Sequence, residues 1–262
     1  MTATNEPFTL PSGEPQHTPQ PPEAVFTVWG TAVRVKPAIL VNLAGLWGLL
    51  AWLAGRGHPE RPWPLRLLVG LLATTAMMVA DLGHAMAHII SARYAGAPMD
   101  EILISEGMPR TLYHDNDVPP RVHRLRALGG PIYSAVGLAI SCLLRGIAPR
   151  DSLVREVAGW SCLGHGFIFG GSLAPLPIVD GGTMLKWTLV ERGRTPEQAD
   201  EIVAQVDLSL GAALTATGVA LAATHRRESA RRKESAAHRW LPALGLIAAG
   251  AIAIAAARGK DR

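Results

Sequence analysis

Ionisable side chains interrupt two apolar stretches of this chain, and their types are those that bind metal ions. Asp81, His84 and His88 lie within a run that is long enough to span a bilayer. Asp180 follows two prolines and precedes two glycines at the end of another apolar run. Ionisable groups at membrane depth are costly, so they usually face a protein interior and mark a functional site. Imidazoles and carboxylates are zinc ligands where thiolates are absent, and a buried metal site is therefore the first hypothesis.

Helical spacing brings the first three of these residues to one face. His84 and His88 are four positions apart, which on a helix stacks two imidazoles about 6 Å apart along the axis. Asp81 precedes His84 by three positions and shares that face. Asp180 must come from another part of the bundle, where its interrupted helix lets the carboxylate turn inward. Taken alone, Asp180 has a second interpretation, a helix cap near the membrane interface, which its Gly-Gly context also permits.

The hydropathy pattern predicts an all-α, polytopic membrane helical bundle of about six spans within the 262 residues. The predicted spans are Pro37–Ala54, Leu65–Ala92, Leu128–Leu144, Val157–Ile178, Leu208–Thr224 and Leu241–Ala257. The net charge of +4 reflects Lys and Arg residues between these spans, as membrane proteins usually have, and indicates no nucleic-acid partner. These basic residues divide almost evenly between the two sides, so charge does not fix the orientation.

The composition divides the chain into a disordered N-terminal tail, residues 1–36, and a membrane domain, residues 37–262. The start of the tail is rich in Pro, Thr, Gln and Glu and has no signal-peptide pattern, so the first span is the expected insertion signal. Between the second and third spans, weak alternation over Glu101–Glu106 and Arg110–His114 predicts a short β-hairpin. Cys142 and Cys162 are interpreted as small buried hydrophobic residues.

Three elements of the sequence resemble those of the site-2 proteases, a family of intramembrane zinc metalloproteases. That family has H-E-x-x-H in one span, G-P-x-x-N at the start of a later span, and N-x-x-P-x-x-x-x-D-G in another. Gly130–Ser134, which reads G-P-I-Y-S, resembles the second element, and Ser172–Gly181 resembles the third at the same spacing. Ser stands at both Asn positions. The order of the elements agrees, and the resemblance covers about residues 65–190.

The first element fits in two registers. One aligns H-E-x-x-H with Ala80–His84, so that Ala80 replaces the first His, Asp81 replaces the Glu, and the family's Leu-Gly-His-Ala continuation is kept. The other aligns it with His84–His88, which keeps both histidines and loses the Glu. The resemblance then implies zinc held by His84, His88 and Asp180, with Asp81 as catalytic base or fourth ligand.

The resemblance implies a site-2 protease-like core in a multi-pass protein of the cell membrane. The leading functional hypothesis is metal-dependent cleavage of a membrane-spanning protein substrate within the lipid bilayer. The alternative is a catalytically inactive relative that binds membrane helices as an adaptor or regulator, so whether the chain is an enzyme stays open. A third hypothesis is a membrane protein that handles metal ions or protons with the same side chains.

Overall fold

The protein is described here from a computed structural model. It describes residues 24–105, 109–232 and 240–258. Seven helices occur in this part of the chain, and a small sheet lies beside one end of the second helix. The helices are α1 Ile39–Gly57, α2 Trp63–Tyr94, α3 Pro120–Ile147, α4 Leu153–Ser172, α5 Asp180–Glu191, α6 Pro196–Arg232 and α7 Leu241–Arg258.

Four of the described helices are long and apolar enough to cross a membrane, namely α1, α2, α3 and α6 from Pro196 to His225. The predicted helical membrane bundle is therefore confirmed, while the number of about six spans stays a prediction. A shorter apolar stretch, Pro242–Arg258, lies in α7, which packs along α6. Small residues allow this close packing, because a Cβ at Gly218 or Gly250 would overlap the facing helix.

The sheet has the strand order β1-β2-β3-β4, with β1 Ala24–Val28, β2 Thr31–Val35, β3 Glu101–Ile104 and β4 Arg110–Leu112. The two outer pairs are antiparallel, and β2 runs parallel to β3. The predicted hairpin corresponds to β3 and β4, although residues 106–108 of its turn lie outside the described residues.

The predicted tail boundary at residue 36 is wrong, because β1 and β2 lie between residues 24 and 35. The signal for this hairpin was available in the sequence: two β-branched and aromatic runs flank Trp29-Gly30. Both turn residues have positive φ, 48° and 86°, as a type I′ turn requires. The remainder of the predicted tail, residues 1–23, lies outside the described residues.

The sheet packs against one face of α2. Val33 and Ile102 from its two central strands are fully buried against Ala85 and Ile89 of that helix. Three α2 residues at spacings of four and three, Ala85, Ile89 and Ala92, form this apolar face. The adjoining face of α2 carries the histidines and is directed at α3 and α5.

The cysteines were interpreted as unpaired hydrophobic residues, and this interpretation is wrong. Cys142 of α3 and Cys162 of α4 form a disulfide where these helices pack, with their Cα atoms 5.7 Å apart. Two isolated cysteines with no short spacing give no sequence signal of such a partner.

Candidate metal centre

One helix and the start of another bring the candidate ligands together. His84 and His88 lie near the C-terminal end of α2, and Asp180 is the first residue of α5. The Nε2 atom of His84 is 3.1 Å from Oδ2 of Asp180, and that of His88 is 3.3 Å from Oδ1. The two Nε2 atoms are 3.3 Å apart. Within the described residues, these three side chains form the group of His, Cys, Asp and Glu that could hold a metal ion.

All three side chains are largely removed from solvent. The exposed fractions are 12% for His84, 6% for His88 and 16% for Asp180. Low exposure strengthens every electrostatic interaction within the group because the surrounding dielectric is low. It also means that the ligand atoms face one another rather than bulk water.

The far nitrogen of each imidazole has its own partner on α3. His88 Nδ1 is 2.8 Å from the backbone carbonyl oxygen of Arg126, and His84 Nδ1 is 3.0 Å from Oγ of Ser134. A carbonyl oxygen only accepts, so Nδ1 of His88 donates, and in the neutral ring its Nε2 carries a free lone pair. Hydrogen bonds of this kind fix the tautomer and orientation of metal-binding histidines.

Glycine at position 130 permits this arrangement. A Cβ on Gly130 would overlap the Nε2 atoms of both His84 and His88. A Cβ on the neighbouring Gly129 would overlap the backbone of Ala87 in α2. The crossing of α2 and α3 at this point therefore requires two residues without side chains, and the first residue of the G-P element is one of them.

Asp180 reaches the histidines because the chain between α4 and α5 folds back tightly. The amide of Val179 donates to the carbonyl of Leu176 at 3.2 Å, and α5 begins at the next residue. A Cβ at Gly181 would overlap the carbonyl of Leu173, and one at Gly182 would overlap that of Leu176. The two glycines after Asp180 thus allow the new helix to start against the turn that precedes it.

The other residues that the sequence singled out do not belong to this group of three side chains. Asp81 is half-buried on α2, one helical turn before His84, and does not belong to the metal-holding group. In the His84–His88 register, the Glu position of H-E-x-x-H is occupied by Ala85, which is buried against the sheet. Ser172 is buried, but its hydroxyl donates to the carbonyl of Phe169 in its own helix.

Two other histidines lie outside this group. His165 of α4 is buried beside Tyr133, with ring centroids 5.6 Å apart. His123 is 7% exposed and stacks on Trp187 of α5, with ring centroids 3.7 Å apart. The sequence gives no signal for this contact, because Trp187 is far along the chain.

Sequence reasoning missed the part that Arg126 has in the site. Its carbonyl orients His88, and its buried guanidinium donates to the carbonyls of Ala97 and Asp115 at 2.9 and 3.1 Å. The same guanidinium lies 4.4 Å from the ring centre of Tyr113. Burial raises the pKa of Tyr113, so this phenol stays neutral over the whole physiological range. Arginine in a basic run gives no sequence signal for these contacts.

A cavity of about 480 Å³ adjoins the ligands and extends toward the sheet. His88 and Asp180 line it together with Tyr113, Thr111 and Lys186. Lys186 is held by Asp200 at 2.9 Å. The cavity gives the ligand group a connection to a space that is large enough for part of a peptide.

The fold is similar to that of a site-2 protease from Methanocaldococcus jannaschii, with a TM-score of 0.52. The identity is 14%, and the similarity covers 91% of this chain and 94% of that chain. No family model and no curated protein matches the sequence.

This comparison confirms a site-2 protease-like fold for the chain, which its apolar helices make an integral membrane protein. At such low identity it concerns the fold alone, so activity has to be argued from the side chains.

Proposed function

We propose that this protein is an intramembrane metalloprotease of the site-2 type, with zinc held by His84, His88 and Asp180. The observation that supports it best is the spacing of the ligand atoms: the two Nε2 atoms are 3.3 Å apart, and they lie 3.1 and 3.3 Å from the two separate oxygens of Asp180. Tetrahedral zinc with bonds of roughly 2.0 Å separates its ligand atoms by about 3.3 Å. The residues present therefore fit the ion.

The chemistry of the donor set supports a cation as well. With Nδ1 of His88 donating to a carbonyl, its Nε2 presents a lone pair to the carboxylate of Asp180 when the ring is neutral. The lone pair of His88 Nε2 and the carboxylate of Asp180 repel each other at 3.3 Å unless a proton or a cation lies between them. A protonated imidazole supplies a proton, whereas a zinc ion would bind both histidines and Asp180 at once.

Bound zinc would supply a Lewis acid that polarises a peptide carbonyl and makes a water molecule acidic. The chain would supply the rest. We assign Asp81, which shares the histidine-bearing part of α2 and is half-buried, as the group that accepts the proton and returns it to the leaving nitrogen. The cavity beside His88 and Asp180 would receive the peptide of a membrane-spanning substrate.

The test is cleavage of a single-span substrate by purified protein in bilayers, with zinc measured in parallel. We expect Asp81→Asn to lower the rate by about 10²–10⁴-fold, the usual contribution of general acid–base catalysis, while zinc stays bound. Asp81→Glu, with a longer reach, should keep or raise the rate. His84→Ala serves as the control that loses both zinc and activity.

One observation favours a second function, that of an inactive protein that binds membrane helices. Ala85 stands where the catalytic Glu of H-E-x-x-H would be in the register that brings both histidines together. The helix-binding function replaces the protease function if wild type and Asp81→Glu both leave every tested substrate intact. Photocrosslinking in bilayers would then identify a membrane helix that is retained without being cut.

A further inference from the structure

A second cavity, of about 420 Å³, lies at the opposite end of the helices from the metal centre. The chain segments that connect α1 to α2 and α3 to α4 meet there. Along α2, Trp63 at this end is about 32 Å from His84, at a rise of 1.5 Å per residue. Exposed Trp63 at the start of a membrane-spanning helix marks the level of the lipid headgroups. The cavity therefore opens where lipid phosphates lie.

The lining of this cavity is strongly basic. It contains four arginines, Arg61, Arg145, Arg150 and Arg155, together with the two carboxylates of Asp151 and Glu156. Glu156 is occupied by Arg61, with two hydrogen bonds of 3.1 and 2.8 Å. These bonds raise the pKa of Arg61 and link the α1–α2 connection to α4.

The other arginines retain donors for a ligand. Arg155 uses Nη1 to donate to the carbonyls of Arg145 and Ala148, and its other guanidinium donors make no hydrogen bond within the described residues. Arg145 and Arg150 are exposed and have no carboxylate partner in the described part of the chain. Within the residues that the structure describes, Asp151 is the acidic side chain of the lining that no arginine neutralises, so the cavity keeps an excess of positive charge.

Backbone geometry adds to this charge. Helix α4 begins at the cavity, where Ser152 is its N-cap and accepts from the amide of Arg155 at 3.2 Å. A helix N-terminus carries a partial positive charge that favours anions. Gly159 lies on the same wall, and the side chain of Arg145 lies 3.8 Å from the position that a Cβ there would occupy. The guanidinium of Arg145 can thus lie close to the surface of α4 and face the cavity.

We propose that this arginine-lined cavity binds the phosphate of an anionic phospholipid headgroup. Planar guanidinium groups bind phosphate oxygens in pairs of hydrogen bonds, which a single surface charge does not do. The lipid's acyl chains would lie beside Leu163, which is exposed below the arginines on α4. A lipid bound here would hold the two connections together at the membrane surface.

The experiment is native mass spectrometry of the full chain, released from bilayers of phosphatidylcholine with or without phosphatidylglycerol. We expect one phosphatidylglycerol retained per chain, and binding that is roughly 10- to 30-fold weaker in Arg145→Gln/Arg150→Gln, given the attraction of each arginine to anionic lipid. Arg192→Gln/Arg194→Gln removes the same charge from exposed positions at the other end of the fold and should leave retention unchanged. Because Arg145 and Arg150 are both exposed, the double variant should fold. The single variant Arg150→Gln provides a smaller change of the same cavity.

Equal loss in the two double variants would overturn the proposal, because it would mean attraction by net charge alone. Absence of retained phosphatidylglycerol from the wild type would overturn it as well. Titration of inorganic phosphate in detergent separates the two possible sources of phosphate: binding of free phosphate without retention of lipid would assign the cavity to a soluble anion instead. Zinc content, measured on the same samples, should be the same in all of them.

Discussion

At the scale of single residues, His84 and His88 should contribute similarly to zinc binding. Their Nε2 atoms lie at nearly the same distance from the carboxylate of Asp180, 3.1 and 3.3 Å. Loss of a residue that only hydrogen-bonds to a metal ligand lowers metal affinity by roughly 10–100-fold. We therefore expect His88→Ala and His84→Ala, which each remove a ligand, to lower zinc affinity by more than this. Competition with a zinc-binding dye measures this, and exposed His114 provides the control as His114→Ala. A silent His88→Ala would favour the Ala80–His84 register instead.

Ser134 allows a finer test of the same site. Its hydroxyl lies 3.0 Å from Nδ1 of His84 and orients that ring without touching the proposed ion. Ser134→Ala should weaken zinc binding by roughly tenfold, the lower end of the usual effect of such partners. Ser141→Ala is the matched control, because Ser141 is also buried in α3 and its hydroxyl pairs with Ser161. Equal zinc affinity in both variants would mean that Ser134 does not orient the ligand.

At the scale of elements, the crossing of α2 and α3 determines whether the ligands can converge. Gly130→Ala would put a methyl group onto both imidazoles, and overpacking of this kind costs about 1–3 kcal/mol. We expect zinc affinity to fall with this cost, as the helices separate or the rings turn away. In the same helix, Gly146→Ala should leave zinc binding unchanged, since a Cβ there meets nothing within 4 Å. Isothermal titration of both variants in detergent would measure the difference.

The elements that could be predicted from sequence are those with a strong periodic or hydropathic signal. Each predicted span overlaps an observed helix, and Pro196 opens α6 because its fixed φ suits the first turn. Strands β1 and β2 were missed although their composition and the Trp29-Gly30 turn signal a hairpin, because five residues each give little periodicity beside a polar tail. Their pairing with β3 depends on a contact that is distant in sequence.

The sequence identifies the residue types of the candidate site, but it does not decide which of the two registers of H-E-x-x-H applies. Helical spacing puts Asp81, His84 and His88 on one face, and nothing in that spacing says which of them meet a partner. The choice depends on where α5 starts and on how closely α3 approaches, and both depend on glycines whose role is visible only when the helices are packed. Arg126 was missed because it acts on His88 through its backbone carbonyl, which every residue has.

At the scale of the whole molecule, the proposed zinc site would join α5 to α2. We expect about one zinc per chain, and free zinc at 100 times its Kd should stabilise the fold by about 2.7 kcal/mol. Amide hydrogen exchange should rise in Asp180–Glu191 when a chelator removes zinc, and change little in α7, which packs on α6. Elemental analysis gives the stoichiometry. Protein without zinc that takes up none on titration would refute the proposed site.

The parallel pairing of β2 with β3 constrains how the chain is assembled during synthesis. Thr31 donates to the carbonyl of Met99, 68 residues later, and two membrane helices lie between the paired strands. The first hairpin must therefore wait, with one edge unpaired, until α1 and α2 have been inserted and the chain has returned to the same membrane surface. Helices form in less than a microsecond, whereas contacts at such separation are slow. Closure of the sheet thus follows insertion of α1 and α2, which makes correct insertion of this helical pair a precondition for forming the surface beside the histidines.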